Sequence, residues 1–252
     1  MNHVRLLEKL KSHRVSGTVL LWFADYLSGR FQQVHVNGSS GVCAPVLKGV
    51  PQGSVLGPTL FNMYVSHVPS IVQHTSAEVP SYADDLTVFA IHNSPSCAIQ
   101  KITDALDIIS ADLQENGLTL NTSKSCGMII SKDDTSLYSI TCNGQALQTV
   151  SHTRLLGPEI DDGLSWEPQV RMMSAKIGRK IGTLKIAKRH LSSQAKRLFL
   201  SSAILLDFDY ACTSFATGIS SAARSRLAAL ERRALQVACD ARYTEDNMFS
   251  IV

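Results

Sequence analysis

No uninterrupted apolar run in the 252 residues approaches the roughly eighteen needed to cross a bilayer. The opening segment, MNHVRLLEKLKSHR, carries charges where a signal peptide needs an apolar stretch. Both absences lead to the expectation of an intracellular protein with no membrane partner, nuclear or cytoplasmic left open. Cysteine is sparse and scattered. Cys43, Cys97, Cys126, Cys142, Cys212 and Cys239 form no CxxC pair and no neighbouring CxxH arrangement. That spacing argues against a zinc site and a disulfide framework, and predicts reduced thiols packed as small hydrophobes. Internal repeats and low-complexity segments are absent as well. Acid is missing from one long stretch: between residues 171 and 197 there is no Asp or Glu, while Arg171, Lys176, Arg179, Lys180, Lys185, Lys188, Arg189, Lys196 and Arg197 supply nine basic residues in 27. Such a block fits a polyanion partner or a solvated helix face.

What is present is enough to build cores, since 44% of the residues are hydrophobic and only 18% charged. Val4, Leu6, Leu7 and Leu10 share one helical face, and Val19 to Leu27 form a second helix closed by Ser28-Gly29. Val34 and Val36 beside Asn37-Gly38 predict a β-hairpin, as do the residues around Asn143-Gly144. Lys48 to Gly53 is a Gly/Pro loop, after which Ser54 is placed to cap a helix that buries Leu56, Leu60, Met63, Tyr64 and Val68. Ile99, Ile102, Leu106, Ile109 and Leu113 predict a helix over 96–116 that stops at Gly117. Leu118 to Ile130 read as a strand interrupted by NTSKS. From Glu167 to Asp240 only helical periodicity is found. The pattern predicts an α+β chain with a boundary near residue 160, a mixed unit at 1–160 and a mostly helical one at 161–252.

The acidic pair in SYADDLTVFA (Ser81–Ala90) stands out. If SYA and LTVFAI pair as antiparallel strands, Asp84-Asp85 fills the connection between them. Two carboxylates there call for solvation or for a neutralising cation, and hard oxygen donors suit Mg²⁺ or Mn²⁺. A plain surface turn would look the same in isolation.

The surroundings carry a resemblance. GVPQGSVLGPTLFNMY followed by YADD resembles the polymerase core of reverse transcriptases, specifically those of non-LTR (LINE-type) retrotransposons. WFADYLSGRFQQVHVNG, NGLTLNTSKSCGMII and RLLGPEIDDGLSW resemble the segments that flank that core in the family, and AILLDFDYACTSF resembles helices beyond it. The resemblance implies a polymerase palm, an antiparallel sheet with packed helices, followed by a mostly helical thumb. It implies nucleotidyl transfer to a DNA 3′ end through two Mg²⁺ (or Mn²⁺) ions, with RNA template, DNA primer and deoxynucleotide triphosphates as partners.

Residue by residue, Asp84 matches the aspartate that contacts the catalytic metals, and Asp85 is its supporting neighbour. Pro51, Gln52 and Gly53 match the loop that touches template and incoming nucleotide. Tyr82 lies near the primer end or fills the sheet. Lys124 matches the lysine that protonates the pyrophosphate, or solvates a turn. Leu156 and Gly157 match the primer grip. Lys176, Arg179, Lys180, Lys185, Lys188 and Arg189 would grip phosphates. The chain departs from the pattern in three places. The family has a further aspartate in a segment resembling LDFSKAFD-x-V-x-H, and Asn2-His3 resembles only that segment's tail, which leads to the expectation of an N-terminally truncated fragment with little polymerase activity. Pro158 stands where a strand more often continues, and Phe215–Gly218 (FATG) stands where many relatives carry tryptophan. Two alternatives follow: a non-catalytic nucleic-acid-binding remnant, or a chain that does not fold stably because its sheet exposes an edge.

Overall fold

Asn2 decides where the first helix starts: its Oδ1 accepts from the Val4 and Arg5 amides at 2.8 and 3.4 Å, an N-cap for α1 (His3–Ser12). In the computed structural model the described residues are 1–133, 135 and 137–239. They form two units, one of 1–127 with the described residues of 135–149, and one of 128–133 with 150–239. The division falls between Thr149 and Val150, and the hairpin of 152–161 goes with the second unit.

The first unit is built around helices. α2 (Gly17–Leu27), α3 (Gly57–Val65), α4 (Val68–Ile71) and α5 (Pro95–Glu115) follow α1. Leu6, Leu10, Leu27, Leu60, Tyr64, Val68, Val72, Ala105, Ile109 and Leu113 are buried together, each large side chain contributing about 1.5–3 kcal/mol. α5 ends as its sequence predicts, with Gly117 at φ +69° just past the Asn116 cap. Tyr64 is fully buried, and its hydroxyl donates to the Asn116 carbonyl at 2.5 Å and accepts from the Asn2 amide at 3.3 Å. On the rim of this core Lys9 Nζ donates to the Tyr64 carbonyl at 2.8 Å and to His67 Nδ1 at 2.9 Å. His67 Nε2 in turn meets Asp112 Oδ2 at 2.8 Å. Burial lowers the Lys9 pKa, and the Asp112 charge opposes that shift.

Strands are short throughout. The Asn37-Gly38 and Asn143-Gly144 hairpins form as the turn chemistry predicts, with φ of +49° and +80° in the first and +49° and +71° in the second. Each ladder holds only two pairs. The strand expected over 118–130 shrinks to Cys126–Gly127, paired parallel with Gln148–Thr149. Asn121 explains part of this: its Oδ1 accepts from Ser123 Oγ and the Lys124 amide and winds Thr122–Lys124 into a 3₁₀ turn. No cysteine forms a disulfide, but only Cys142 is buried. Cys43, Cys97 and Cys126 are exposed, so the expectation that they pack as small hydrophobes fails for those three.

In the second unit an antiparallel hairpin, His152–Arg154 with Glu159–Asp161, leads into α6 (Glu167–Ala187). Then come α7 (Ser193–Phe199), a π-helical turn at Leu200–Leu205, α8 (Leu206–Asp209), α9 (Cys212–Phe215) and α10 (Ser221–Cys239). Met173, Ile177, Ile181 and Leu184 of α6 pack with Leu200, Ile204, Phe215, Ala234 and Ala238. The expected helical run thus holds to Cys239, and its end at Asp240 lies outside the described residues. The stretch Ser193–Phe215 has the length and mean hydropathy (1.3) of a membrane span by those measures alone, against the expectation that no run qualifies. It is not one continuous α-helix: the π turn and Ala211, at φ +55°, interrupt it.

Candidate nucleic-acid and metal site

The acidic hairpin forms, with a different division of labour from the one expected. Ser81 pairs with Leu86 and Tyr82 with Asp85, so Ala83-Asp84 is the turn and Asp85 belongs to the ladder. Further out, Thr87 N donates to Pro80 O at 3.0 Å, and Glu78 and Phe89 exchange bonds of 2.9 and 3.0 Å. Ala83 sits at φ +52°, a left-handed conformation that costs an L-residue about 1–2 kcal/mol. Asp84 and Asp85 are both exposed. Neither side chain makes a hydrogen bond or ion pair among the described residues. Tyr82 is 67% exposed, which corrects the expectation that it fills the sheet: among the described residues no further strand is paired beside this hairpin to cover it.

The Pro51–Gly53 loop is held from two sides. Gly49 N donates to Met1 O at 2.8 Å, and His3 Nε2 lies 2.7 Å from Gly49 O. Ser54 N and Ser54 Oγ both donate to Pro51 O, at 3.2 and 2.7 Å. Gly53 takes φ +81° at the third position of that turn, where a residue with a Cβ is strained. Gln52 is left exposed on top. Ser54 is not the N-cap expected of it: α3 begins at Gly57 with Leu56 at the cap position and no side-chain cap bond, and Ser54 Oγ instead accepts from Gly57 N at 3.1 Å across the preceding turn. Lys124 is exposed at the end of its 3₁₀ turn. Among the described residues no hydrogen bond or ion pair joins Lys124, Gln52 or Gly53 to the two aspartates.

Two acids that the sequence did not single out are the best-held ones among the described residues. Asp161 is buried; Oδ2 accepts from Ser165 N at 2.9 Å and Oδ1 from Trp166 N at 2.8 Å. Burial would raise its pKa, but the bonds from Ser165 and Trp166 outweigh that and hold it below 3.8. They also steady Leu164 and Trp166, at φ +50° and +60°, ahead of α6. The signal was an acid four residues before Ser-x-Glu-Pro, with Pro168 in the first helical turn. Asp207 receives Lys176 Nζ at 2.9 Å on Oδ1 and Lys180 Nζ at 2.6 Å on Oδ2. Burial raises the Asp207 pKa, and the two lysines more than reverse it. Lys180 also donates to Ala203 O, inside the π turn, at 2.6 Å.

Lys176 and Lys180, expected to grip phosphates, are therefore ion-paired within the unit. The reason is a single acid beyond the basic block whose helix packs back on α6. Arg179, Lys185 and Arg189 are exposed; Lys188, at the head of a 3₁₀ turn, is half-buried. Pro158 stands opposite Leu155 across the turn of the second-unit hairpin, its carbonyl accepting from Leu155 N at 2.8 Å; having no N–H, it leaves the return bond to Leu155 O unmade, the lost ladder donor that the sequence led one to expect. Leu156 is at φ +49° and Gly157 at φ +113° in the same turn, and the Tyr210 hydroxyl donates to Leu156 O at 2.7 Å. Gly218 of FATG lies against the Trp166 indole, where an added Cβ would stand 2.9 Å from the ring.

Asp84 and Asp85 are two adjacent hard oxygen donors. They do not make the full set for two divalent cations, because no group of three or more His, Cys, Asp or Glu side chains comes together among the described residues.

The described residues thus form a mixed α+β chain with a two-aspartate hairpin, a left-handed glycine loop before it and a basic helix after it. The reverse transcriptase (RNA-dependent DNA polymerase) family model matches residues 1–175, and the chain belongs to that family. It is similar to the RNA-directed DNA polymerase from mobile element jockey of Drosophila melanogaster, 25% identical over 188 residues that make up 72% of this chain and 20% of that protein. The jockey polymerase of Drosophila funebris is 28% identical over 188 residues, 71% and 20% of the two chains. A Pol polyprotein from type-1 retrotransposable element R1 2 of Nasonia vitripennis is 24% identical over 176 residues, 66% and 43%. These relatives bear out the LINE-type resemblance. The chain spans about one fifth of the length of the jockey polymerases.

Proposed function

We propose that the first unit is the palm of an RNA-directed DNA polymerase and the second its thumb, and that the chain binds an RNA template paired with a DNA primer. The observation that carries this reading is the hairpin of 81–86, with two exposed carboxylates that have no partner among the described residues, in a chain of this family. Asp84 and Asp85 would hold Mg²⁺ or Mn²⁺, which supplies charge neutralisation to a transferring phosphate when bound. Two carboxylates are an incomplete set for a pair of ions, so on this reading the chain by itself has little or no polymerase activity. Gln52 and Gly53 present backbone and amide to template and nucleotide. Tyr82, exposed beside the acids, faces the primer end, and Lys124 is the general acid toward the leaving pyrophosphate. Arg179, Lys185, Lys188 and Arg189 contact phosphates, whereas Lys176 and Lys180 hold the thumb together.

The test is a pair of measurements on the purified chain. Binding of an RNA–DNA hybrid that weakens steeply with salt, without incorporation of deoxynucleotides, is the expected result. Steady extension of a primer on an RNA template, abolished by Asp84→Asn, would overturn the claim of inactivity. Absence of hybrid binding at moderate salt would overturn the whole reading.

A further inference from the structure

The turn at Leu156–Gly157 and the residue Tyr210 are 54 positions apart in sequence, yet they are fitted to one another. The Tyr210 hydroxyl donates to Leu156 O at 2.7 Å. Its ring lies so close that a Cβ built on Gly157 would meet Oη at 2.8 Å, Cε1 at 2.9 Å and Cζ at 3.2 Å. Gly157 is at φ +113°, so glycine is required there twice, by backbone conformation and by the ring.

Tyr210 is itself placed by charge. It follows α8, whose Asp207 is anchored to Lys176 and Lys180 on α6, and its amide closes the helix on Leu206 O at 3.1 Å. The other end of the hairpin runs through Asp161 into the start of α6. Hairpin tip and hairpin base are thus tied to the same helix by different routes. A left-handed Leu156 with its side chain 52% exposed has little else to hold it.

We infer that Tyr210 is a positioning residue: by clasping the Leu156–Gly157 turn it fixes the backbone that meets the primer end. This rests on the reading of that turn as the grip, and deepens it by naming what holds it still. Without the hydroxyl the turn opens more often, and the primer end loses a fixed surface while the duplex contacts made by exposed basic residues remain.

Two measurements on the full chain separate the clasp from the grip. Amide exchange at Leu155, whose N–H is bonded to Pro158 O, reports the turn alone. Tyr210→Phe keeps the ring and is expected to speed that exchange by roughly five- to tenfold, the worth of one hydrogen bond, with thermal unfolding little changed. Unaltered exchange overturns the clasp. Binding of a hybrid with a recessed DNA 3′ end, against a continuous hybrid of equal length, reports the grip. Tyr210→Phe is expected to weaken the first by several-fold and leave the second unchanged; equal weakening of both would mean a merely structural role and overturn the inference. If the unsubstituted chain shows no preference for the recessed end, the grip reading fails while the exchange result still judges the clasp. Gly157→Ala gives the check by geometry: it is expected to weaken recessed-end binding in the parent, and to do so less in a Tyr210→Ala background, where the obstructing ring is gone. Equal loss in both backgrounds counts against the fit.

Discussion

Four aspartates divide the molecule into two kinds of region. In the first unit Asp84 and Asp85 are exposed at a hairpin tip and engage no partner among the described residues. In the second, Asp161 and Asp207 are enclosed, each accepting two donors, and both have pKa values below 3.8 despite burial. Adjacent like charges repel, so keeping two of them unneutralised adds nothing to folding; a carboxylate with two bonded donors does. The first pair has its lone pairs free for a ligand, and the second pair has them filled by the fold. Acids in an open turn are therefore the ones to associate with chemistry here, and acids beneath a helix are the ones to associate with stability.

The largest expected effect comes from Asp161→Ala. It removes both acceptors at the start of α6 and leaves the Ser165 and Trp166 amides unpaired beside two left-handed residues. A loss of about 2–4 kcal/mol follows, from two orphaned donors and a lost helix-start anchor, measurable by urea denaturation. The same acid sets a pH dependence. Its folded pKa is depressed, so its contribution is fully present above the unfolded value near 3.8 and is lost as pH falls through the lower folded value. Asp207 acts in the same direction and over the same side of 3.8. Acid unfolding of the parent is expected to lose its low-pH component in stages when each acid is removed. A parent whose stability is flat between neutral pH and pH 3 would contradict the contrast between the two pairs.

Asp207→Asn ranks next, at about 1–3 kcal/mol, because Lys176 remains half in water and only Lys180 is more enclosed. Its informative effect is on binding. Releasing two ammonium groups from an internal acid leaves them available to phosphates. A log–log plot of hybrid affinity against salt should steepen by about one to two, since each phosphate neutralised contributes about 0.9. An unchanged slope would mean that the two lysines already contact nucleic acid while paired, and would remove the distinction drawn between them and Arg179, Lys185 and Arg189.

How much of this was legible in the sequence follows from the range of each interaction. Asn37-Gly38, Asn143-Gly144 and Gly117 were read correctly because a left-handed turn or helix stop is fixed by two or three neighbouring residues. The helix expected over 96–116, found at Pro95–Glu115, was read from its periodicity and its glycine stop. Asp84 and Asp85 drew attention because their neighbours in sequence form a recognisable set. Asp207 did not, since its partners lie 27 and 31 residues upstream and only the packing of α8 on α6 brings them together. The same packing turned two expected phosphate contacts into structural ones. Tyr210 was invisible for a like reason, its partner being 54 residues away. Strand length was over-read: SYA and LTVFAI have strand composition throughout, but a strand extends only as far as a neighbour accepts its hydrogen bonds, and Ile91 remains 84% exposed.

The smallest expected effect on stability is also the sharpest test of the contrast. Asp84→Asn and Asp85→Asn each remove one of two adjacent, exposed charges that hold nothing in place, so thermal unfolding should move by no more than about 0.5 kcal/mol, and toward greater stability if repulsion matters. Metal should respond differently. Mn²⁺ binding, followed by the loss of the free-ion electron paramagnetic resonance signal, is expected to weaken by tenfold or more with either substitution, because a hard cation depends on carboxylate charge that an amide oxygen lacks. Asp161→Asn serves as the opposite case, with weakened folding and unchanged Mn²⁺ binding, since its oxygens are already filled by main-chain donors. If Asp84→Asn instead destabilises the fold and leaves Mn²⁺ binding intact, the hairpin acids are a structural turn, and the two regions differ only in how deeply their acids lie.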